Sequence, residues 1–164
     1  VFKILRASVD DIPLIRDLTF RIWPQTYQGL LKPEQIDYML DLMYSESSLR
    51  RQISEEGCQF NLIYEDEEPV GFSSYSEIEH GVFKLHKLYV LPSQQGKGSG
   101  RFIMEHILDE IKGKDGKALQ LQVKRDNKAR FFYEKLGFKI IKEIDLDIGG
   151  GYFMSDYIME KKIY

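Results

Sequence analysis

Apolar positions fall into two rhythms along the chain. Phe2 to Ala7 reads as a short strand, after which Ile12, Ile15, Leu18 and Ile22 recur at helical spacing. Ser8 and Asp11 precede that run in a capping-box pattern, where each side chain satisfies the other end's free amide. Trp23-Pro24 is expected to end or kink the helix, because a residue before proline is pushed out of the helical region. Gln25 to Leu31 then reads as a loop. Pro33 suits the first turn of a second helix carrying Ile36, Met39, Leu40 and Met43, and Ser45 to Glu55 forms a third helical piece stopped by Gly57.

The middle of the chain switches to a period of two. Phe60, Leu62 and Tyr64 alternate, an acidic turn follows at Asp66 to Pro69, and Val70 to Glu77 and Phe83 to Leu91 form an antiparallel hairpin around His80-Gly81. Strict alternation puts Phe83, Leu85, Lys87 and Tyr89 on one face and His86, Leu88 and Val90 on the other. Beyond Pro92 a glycine-rich stretch opens a helix running to about Lys112, with Phe102, Ile103, Ile107, Leu108 and Ile111 on its buried face. Leu119, Leu121 and Val123 mark a further strand. Asp126 or Asn127 can cap a helix through Ala129, Phe132, Tyr133 and Leu136, which Gly137 stops. Phe138 to Leu146 and Gly151 to Lys161 complete the strands around the turn at Gly149-Gly150-Gly151. These elements predict one α/β domain spanning residues 1–164, a mixed sheet with helices on both faces.

Composition narrows the function classes. Lys and Arg number 23 against 26 Asp and Glu, a formal net charge of -3, which argues against nucleic acid as a partner. Cys58 is the only cysteine, so no disulfide framework or thiolate metal cluster is expected within one chain. His80 and His86 lack ligand spacing and no metal is expected. No apolar run approaches the roughly 20 residues needed to span a bilayer, and Val1 to Arg6 lacks a signal-peptide pattern. A cytoplasmic location and no membrane partner are the expectation.

The strongest chemical signal is Gln95-Gly96-Lys97-Gly98-Ser99-Gly100-Arg101, between a strand and a helix. Glycines at alternate positions let the backbone approach a ligand closely. The helix start beyond them offers free amides and a favourable dipole to a phosphate or pyrophosphate. The spacing fits neither a nucleotide-hydrolysing P-loop nor a dinucleotide fingerprint. Taken alone, a plain structural turn explains the glycines equally well.

The loop, together with Leu88-Tyr89-Val90-Leu91-Pro92 before it and Asn127-Lys128-Ala129-Arg130-Phe131-Phe132-Tyr133-Glu134-Lys135-Leu136-Gly137-Phe138 after it, resembles the GCN5-related N-acetyltransferase (GNAT) superfamily, in particular small bacterial members, some of polyamine type. The resemblance implies a mostly antiparallel mixed sheet, splayed between the fourth and fifth strands, and acetyl-coenzyme A as co-substrate. It implies that the amides of Gln95, Gly96, Lys97, Gly98, Ser99, Gly100 and Arg101 hold the coenzyme's pyrophosphate. The backbone of Leu88, Tyr89 and Val90 would pair with the pantetheine arm, Asn127 would contact the cofactor, and Tyr133 would serve as general acid near the thioester sulfur.

Direct transfer also needs a group that takes the amine proton. His86, with a suitable ordinary pKa, and Glu77 are the candidates, and both lie on the predicted hairpin. Trp23, Tyr27, Glu77 and Tyr152 are candidates to line the acceptor site, and aromatic rings there suit a cationic amine. The reaction implied is acetyl transfer from acetyl-coenzyme A to a primary amine of a small molecule. The rivals are a protein or peptide amine as acceptor, and an acyl-coenzyme A sensor without turnover. A homodimer is consistent with the resemblance.

Overall fold

The computed structural model describes residues 1–163. β1 (Phe2–Arg6) leads through a 3-10 turn into α1 (Ile12–Thr26), α2 (Pro33–Tyr44) and α3 (Glu46–Ser54). β2 (Gln59–Glu65), β3 (Glu68–Glu79) and β4 (Val82–Val90) follow, then α4 (Ser99–Gly113), β5 (Ala118–Lys124), α5 (Ala129–Lys135), β6 (Lys139–Gly149) and β7 (Tyr152–Lys162). The strands form one seven-stranded sheet in the order β1-β2-β3-β4-β5-β7-β6. Among the described residues only β4 and β5 run parallel. The mixed, mostly antiparallel sheet flanked by helices is therefore as expected, but β7 enters between β5 and β6, a placement with no local signal.

Two of the flanking layers are easily traced. On one face, Trp23 of α1 and Tyr44 of α2 pack toward Phe72 and Tyr89, and Gln52 of α3 reaches Lys87. On the other, Ile103, Ile107 and Ile111 of α4 are fully buried, and Arg130 of α5 lies over Tyr157. The α1 stripe is as the spacing predicts: Ile12, Ile15, Leu18 and Ile22 are all buried. The Ser8–Asp11 capping box is present, with Asp11 Oδ2 accepting the Ser8 amide at 2.9 Å.

Pro24 does not end α1. The helix runs on to Thr26, held by the Tyr27 amide on the Trp23 carbonyl at 3.0 Å and the Thr26 hydroxyl on the Ile22 carbonyl at 3.0 Å. Proline here removes only the amide that would bond Phe20, and Phe20 is exposed, so water can take the freed carbonyl.

A second correction concerns β4. Tyr75 pairs with Leu85 but its neighbour Ser74 pairs with Lys87, so His86 is an extra residue in a β-bulge. The bulge reverses the alternation. Phe83 and Leu85 face α4, whereas Lys87 and Tyr89 face α1, α2 and α3, so the four do not share one side. His86 turns to the α1 side as well and meets Ser76 at 2.7 Å. Strict alternation splits the polar pair His86-Lys87 between the two faces, whereas the insertion puts both on the α1 side and keeps Leu88 and Val90 on the side of Phe83 and Leu85.

The same region opens the sheet. β5 pairs with β4 only from Val82↔Ala118 to Leu85↔Leu121. From His86 to Val90 the β5-side edge of β4 has no strand partner, while β5 continues to Lys124 against β7. The parallel strands are thus splayed, as anticipated, and the gap begins at the bulge.

Candidate active site

Three surfaces meet at this gap. The first is the start of α4. Gly96 and Gly98 adopt left-handed backbone angles, φ 77° and 87°, and a side chain built on either would meet nothing within 4 Å. The turn therefore presents bare backbone to open space. The Lys97 amide bonds the Gln94 carbonyl at 3.1 Å and the Phe102 amide bonds the Gly98 carbonyl at 3.0 Å. The amides of Gly96, Gly98, Ser99, Gly100 and Arg101 have no acceptor among the described residues. Ser99 is 1% exposed and its hydroxyl oxygen is buried without a partner. Free backbone donors beside an unsatisfied hydroxyl at a helix start fit a phosphate group. Gln95 and Arg101 are exposed beside it, and Lys97 lies 3.4 Å from Glu65.

The second surface is the unpartnered edge of Leu88, Tyr89 and Val90. Their other edge is taken by Ser73, Phe72 and Gly71 of β3. Buried backbone donors and acceptors need partners. An extended amide-bearing arm laid along β4 would supply them as a missing strand does.

The third surface is a group of phenols. The hydroxyls of Tyr27 and Tyr89 lie 2.9 Å apart, and the ring of Trp23 sits 4.7 Å from Tyr27 and 5.8 Å from Tyr89. Tyr133 comes from α5 on the opposite side of the sheet. It packs edge-on to Phe132 and Phe138, and Phe132 lies against Gly100, where an added side-chain carbon would stand 3.3 Å from its ring. This contact ties the helix bearing the acid candidate to the glycine loop. Burial pushes the Tyr133 phenol far above its ordinary range, and the nearby Tyr27 adds to the shift. Burial likewise lifts Tyr27 to about 12, against the hydrogen bond from Tyr89 and with help from Asp156. These phenols stay protonated at neutral pH. They can donate a proton or a hydrogen bond, but they are not resting bases.

The remaining candidates are distributed unevenly. His86 sits at the first position of β4 beyond its pairing with β5. Burial lowers its pKa to about 4, and Lys84 and Lys87 push in the same direction, so its imidazole is neutral and a weak base. Glu77 is not brought to the gap: it pairs with Phe83 in the closed section, and its Oε2 accepts the Gly81 amide at 2.9 Å. Asn127 Oδ1 accepts the Ala129 amide at 2.9 Å and so shapes the entry to α5. Tyr152 lies at the β6–β7 tip, its ring 5.1 Å from that of Tyr38. The Tyr38 hydroxyl donates to the Ile148 carbonyl at 2.8 Å, and Gln35 donates to the Phe153 carbonyl at 3.0 Å. α2 is therefore clasped to the hairpin, and the crowding of Tyr38 explains Gly149 and Gly150, where a side-chain carbon would fall 2.6 Å and 2.8 Å from it.

Residues 29–147 match the family model of the acetyltransferase (GNAT) domain. The chain belongs to the GNAT acetyltransferase family. A spermidine N(1)-acetyltransferase of Thermoplasma acidophilum is 27% identical over 165 residues, covering 98% of this chain and 96% of that protein. A ribosomal protein bS18-alanine N-acetyltransferase of Haemophilus influenzae is 29% identical over 120 residues, 73% of this chain and 77% of that one. Among solved structures, a PaiA N-acetyltransferase from Thermoplasma acidophilum in complex with coenzyme A superposes with a TM-score of 0.83 at 28% identity, covering 99% of both chains. The splayed β4–β5 pair and the glycine loop both lie within the matched residues.

Reading the sequence missed three buried polar groups in and around the site. The first two are the orphaned Ser99 hydroxyl and the neighbouring Gln94, whose Oε1 is also buried without a partner. The third is Asp156, 1% exposed on β7, whose Oδ1 is buried without a partner as well. None of these buried states has a signature in local residue order.

Proposed function

We propose that this protein transfers an acetyl group directly from acetyl-coenzyme A to a primary amine of a small molecule. The family membership gives the reaction class, acetyl-coenzyme A-dependent acyl transfer. What supports the finer reading is the set of free amides of Gly96, Gly98, Ser99, Gly100 and Arg101 beside the open edge of β4, with the Tyr133 phenol close enough to interact with Tyr27. The amides and the Ser99 hydroxyl hold the pyrophosphate. The Leu88–Val90 edge aligns the arm, and Tyr133 protonates the departing sulfur. Bringing two reactants together in this way removes several kcal/mol from the barrier.

A small acceptor is favoured over a protein by the clasp between α2 and the β6–β7 hairpin. Tyr38, Gln35 and Tyr152 join α2 to the hairpin, which leaves less open groove for an extended polypeptide. The spermidine-acetylating relative, similar over nearly the full chain, points the same way.

A thiol-release assay with acetyl-coenzyme A tests the reading, using spermidine, shorter diamines, monoamines and alanine-initiated peptides, with amine-free hydrolysis subtracted. Turnover is expected with the small amines and not with the peptides. Faster turnover of the peptides would overturn the acceptor assignment. Tight coenzyme binding without turnover on any amine would leave only a sensor.

A further inference from the structure

Asp156 has no part in the site described above, yet its surroundings are those of a ligand-binding group. It pairs across β7 and β5 with Lys124, three residues past Leu121, where β5 last touches β4. Directly paired residues share a face. Asp156 therefore points to the side of the sheet on which Lys84 of β4 bonds Gln122 of β5 at 3.2 Å. The charged and titratable groups that act on it come from both lips of the gap. They are Lys124 and Arg125 on the β5 side, Lys84 on β4 and Tyr27 at the end of α1.

None of these cations neutralises it at contact distance. Lys124 is 3.7 Å from Asp126, Arg125 reaches Asp145 at 3.4 Å and the Ile144 carbonyl at 3.0 Å, and Lys84 is held by Gln122. Asp156 has no ion pair within 4 Å among the described residues, and its Oδ1 has no hydrogen-bond donor. A buried carboxylate in that condition is costly unless a cationic partner arrives. Two residues along the same face of β7, Ile158 lines a cavity of about 200 Å³ with Ile78, Lys84, Gln120, Leu121 and Gln122, room for a slender aliphatic chain.

We propose that Asp156 seats the protonated acceptor amine and takes its first proton. This rests on the amine acetyltransferase reading above. The acceptor enters as an ammonium ion and passes one proton to the carboxylate. Its freed lone pair then forms the new C–N bond to the acetyl carbon as the C–S bond breaks. The sulfur receives a proton from Tyr133. The second nitrogen proton restores the phenol, and the proton on Asp156 leaves to solvent. The products are the neutral amide, the free thiol and one released proton. Burial raises the Asp156 pKa against the pull of Lys124, Arg125 and Lys84, which makes it a stronger base than an exposed carboxylate.

Asp156→Asn keeps the shape and removes the charge. Three measurements test it: spermidine binding by titration calorimetry to enzyme loaded with coenzyme A, coenzyme A binding alone, and kcat/KM for spermidine against pH. The expected result is at least a tenfold loss of spermidine affinity and about a hundredfold loss of kcat/KM at pH 7. The acidic limb of the profile should move to follow the amine's own ionisation, with coenzyme affinity within about twofold and Tm unchanged or higher. Unchanged spermidine affinity together with an unchanged acidic limb would overturn the proposal. If wild-type enzyme acetylates no amine, the functional reading itself fails, and that control separates the two failures. Should Asp156→Asn fold poorly, Asp156→Ser carries the same measurements, and retention of spermidine affinity there would equally overturn the proposal.

Discussion

Gly98 and Gly57 form a matched pair for testing the phosphate cradle. Both have left-handed backbone angles, φ 87° and 70°, and at both an added side-chain carbon meets nothing within 4 Å. Replacing either with alanine therefore imposes only the backbone cost, about 1–2 kcal/mol. For a domain of this size each kcal/mol lowers Tm by roughly 2–4 °C, so both variants should melt about 2–8 °C early and remain folded. They differ in what the new methyl faces. At Gly57 it points to solvent beyond α3; at Gly98 it stands among the free amides that open α4. Losing one hydrogen bond to a charged phosphate costs about 1.5–3 kcal/mol, which corresponds to a drop in affinity of roughly 10- to 150-fold. Titration calorimetry with coenzyme A reads this directly. Gly98→Ala should weaken binding by that factor while Gly57→Ala leaves it unchanged. Equal affinities for the two variants would refute the cradle.

Tyr133→Phe should lower kcat by roughly a hundredfold, the usual contribution of a general acid, while coenzyme affinity changes by less than about threefold; pre-steady-state thiol release checks the chemical step. Lys87 provides a stability test with a defined sign. Its ammonium is buried over Tyr44 and Phe60 and held by Gln52 at 2.7 Å, and burial lowers its pKa to about 8. The unfolded chain binds this proton more tightly than the native state does, so its contribution is favourable above about pH 10.5 and is lost as pH falls through 8. Chemical denaturation from pH 8 to 10.5 should show wild type gaining stability relative to Lys87→Met, and a flat difference would contradict the burial of that charge.

Much of the architecture could be read from residue order because the signals are local. The α1 stripe, the capping box at Ser8, the alternation in β5 and the glycines before α4 each need only neighbours within a turn or two. What stayed hidden depends on contacts distant in sequence. The slip at His86 keeps Phe83, Leu85, Leu88 and Val90 on one side and puts Lys84, His86, Lys87 and Tyr89 on the other; its local mark is the adjacent polar pair His86-Lys87, which strict alternation splits between the two faces. β7 is pinned between β5 and β6 by pairings such as Leu121↔Met159 that no local pattern encodes. Glu77 had a suitable side chain in a suitable strand, but the closed part of the β4–β5 pair begins beside it. Asp156 looked like one acidic residue among many, and only the fold shows that its carboxylate is buried without a partner. Asp145 and Asp147, by contrast, are exposed; one lies beside Arg125 and the other accepts the Gly149 amide.

The insertion at His86 makes the binding slot a matter of chain length. Removing one residue there would restore regular alternation through β4, letting its last half lie flat and zip against β5 to the end. The hydrophobic layers would survive such a change, because both sides of the strand are already lined for burial. The groove for an acyl carrier would close. A chain built this way can lose that slot through a three-nucleotide deletion that leaves Tyr133 and Asp156 in place.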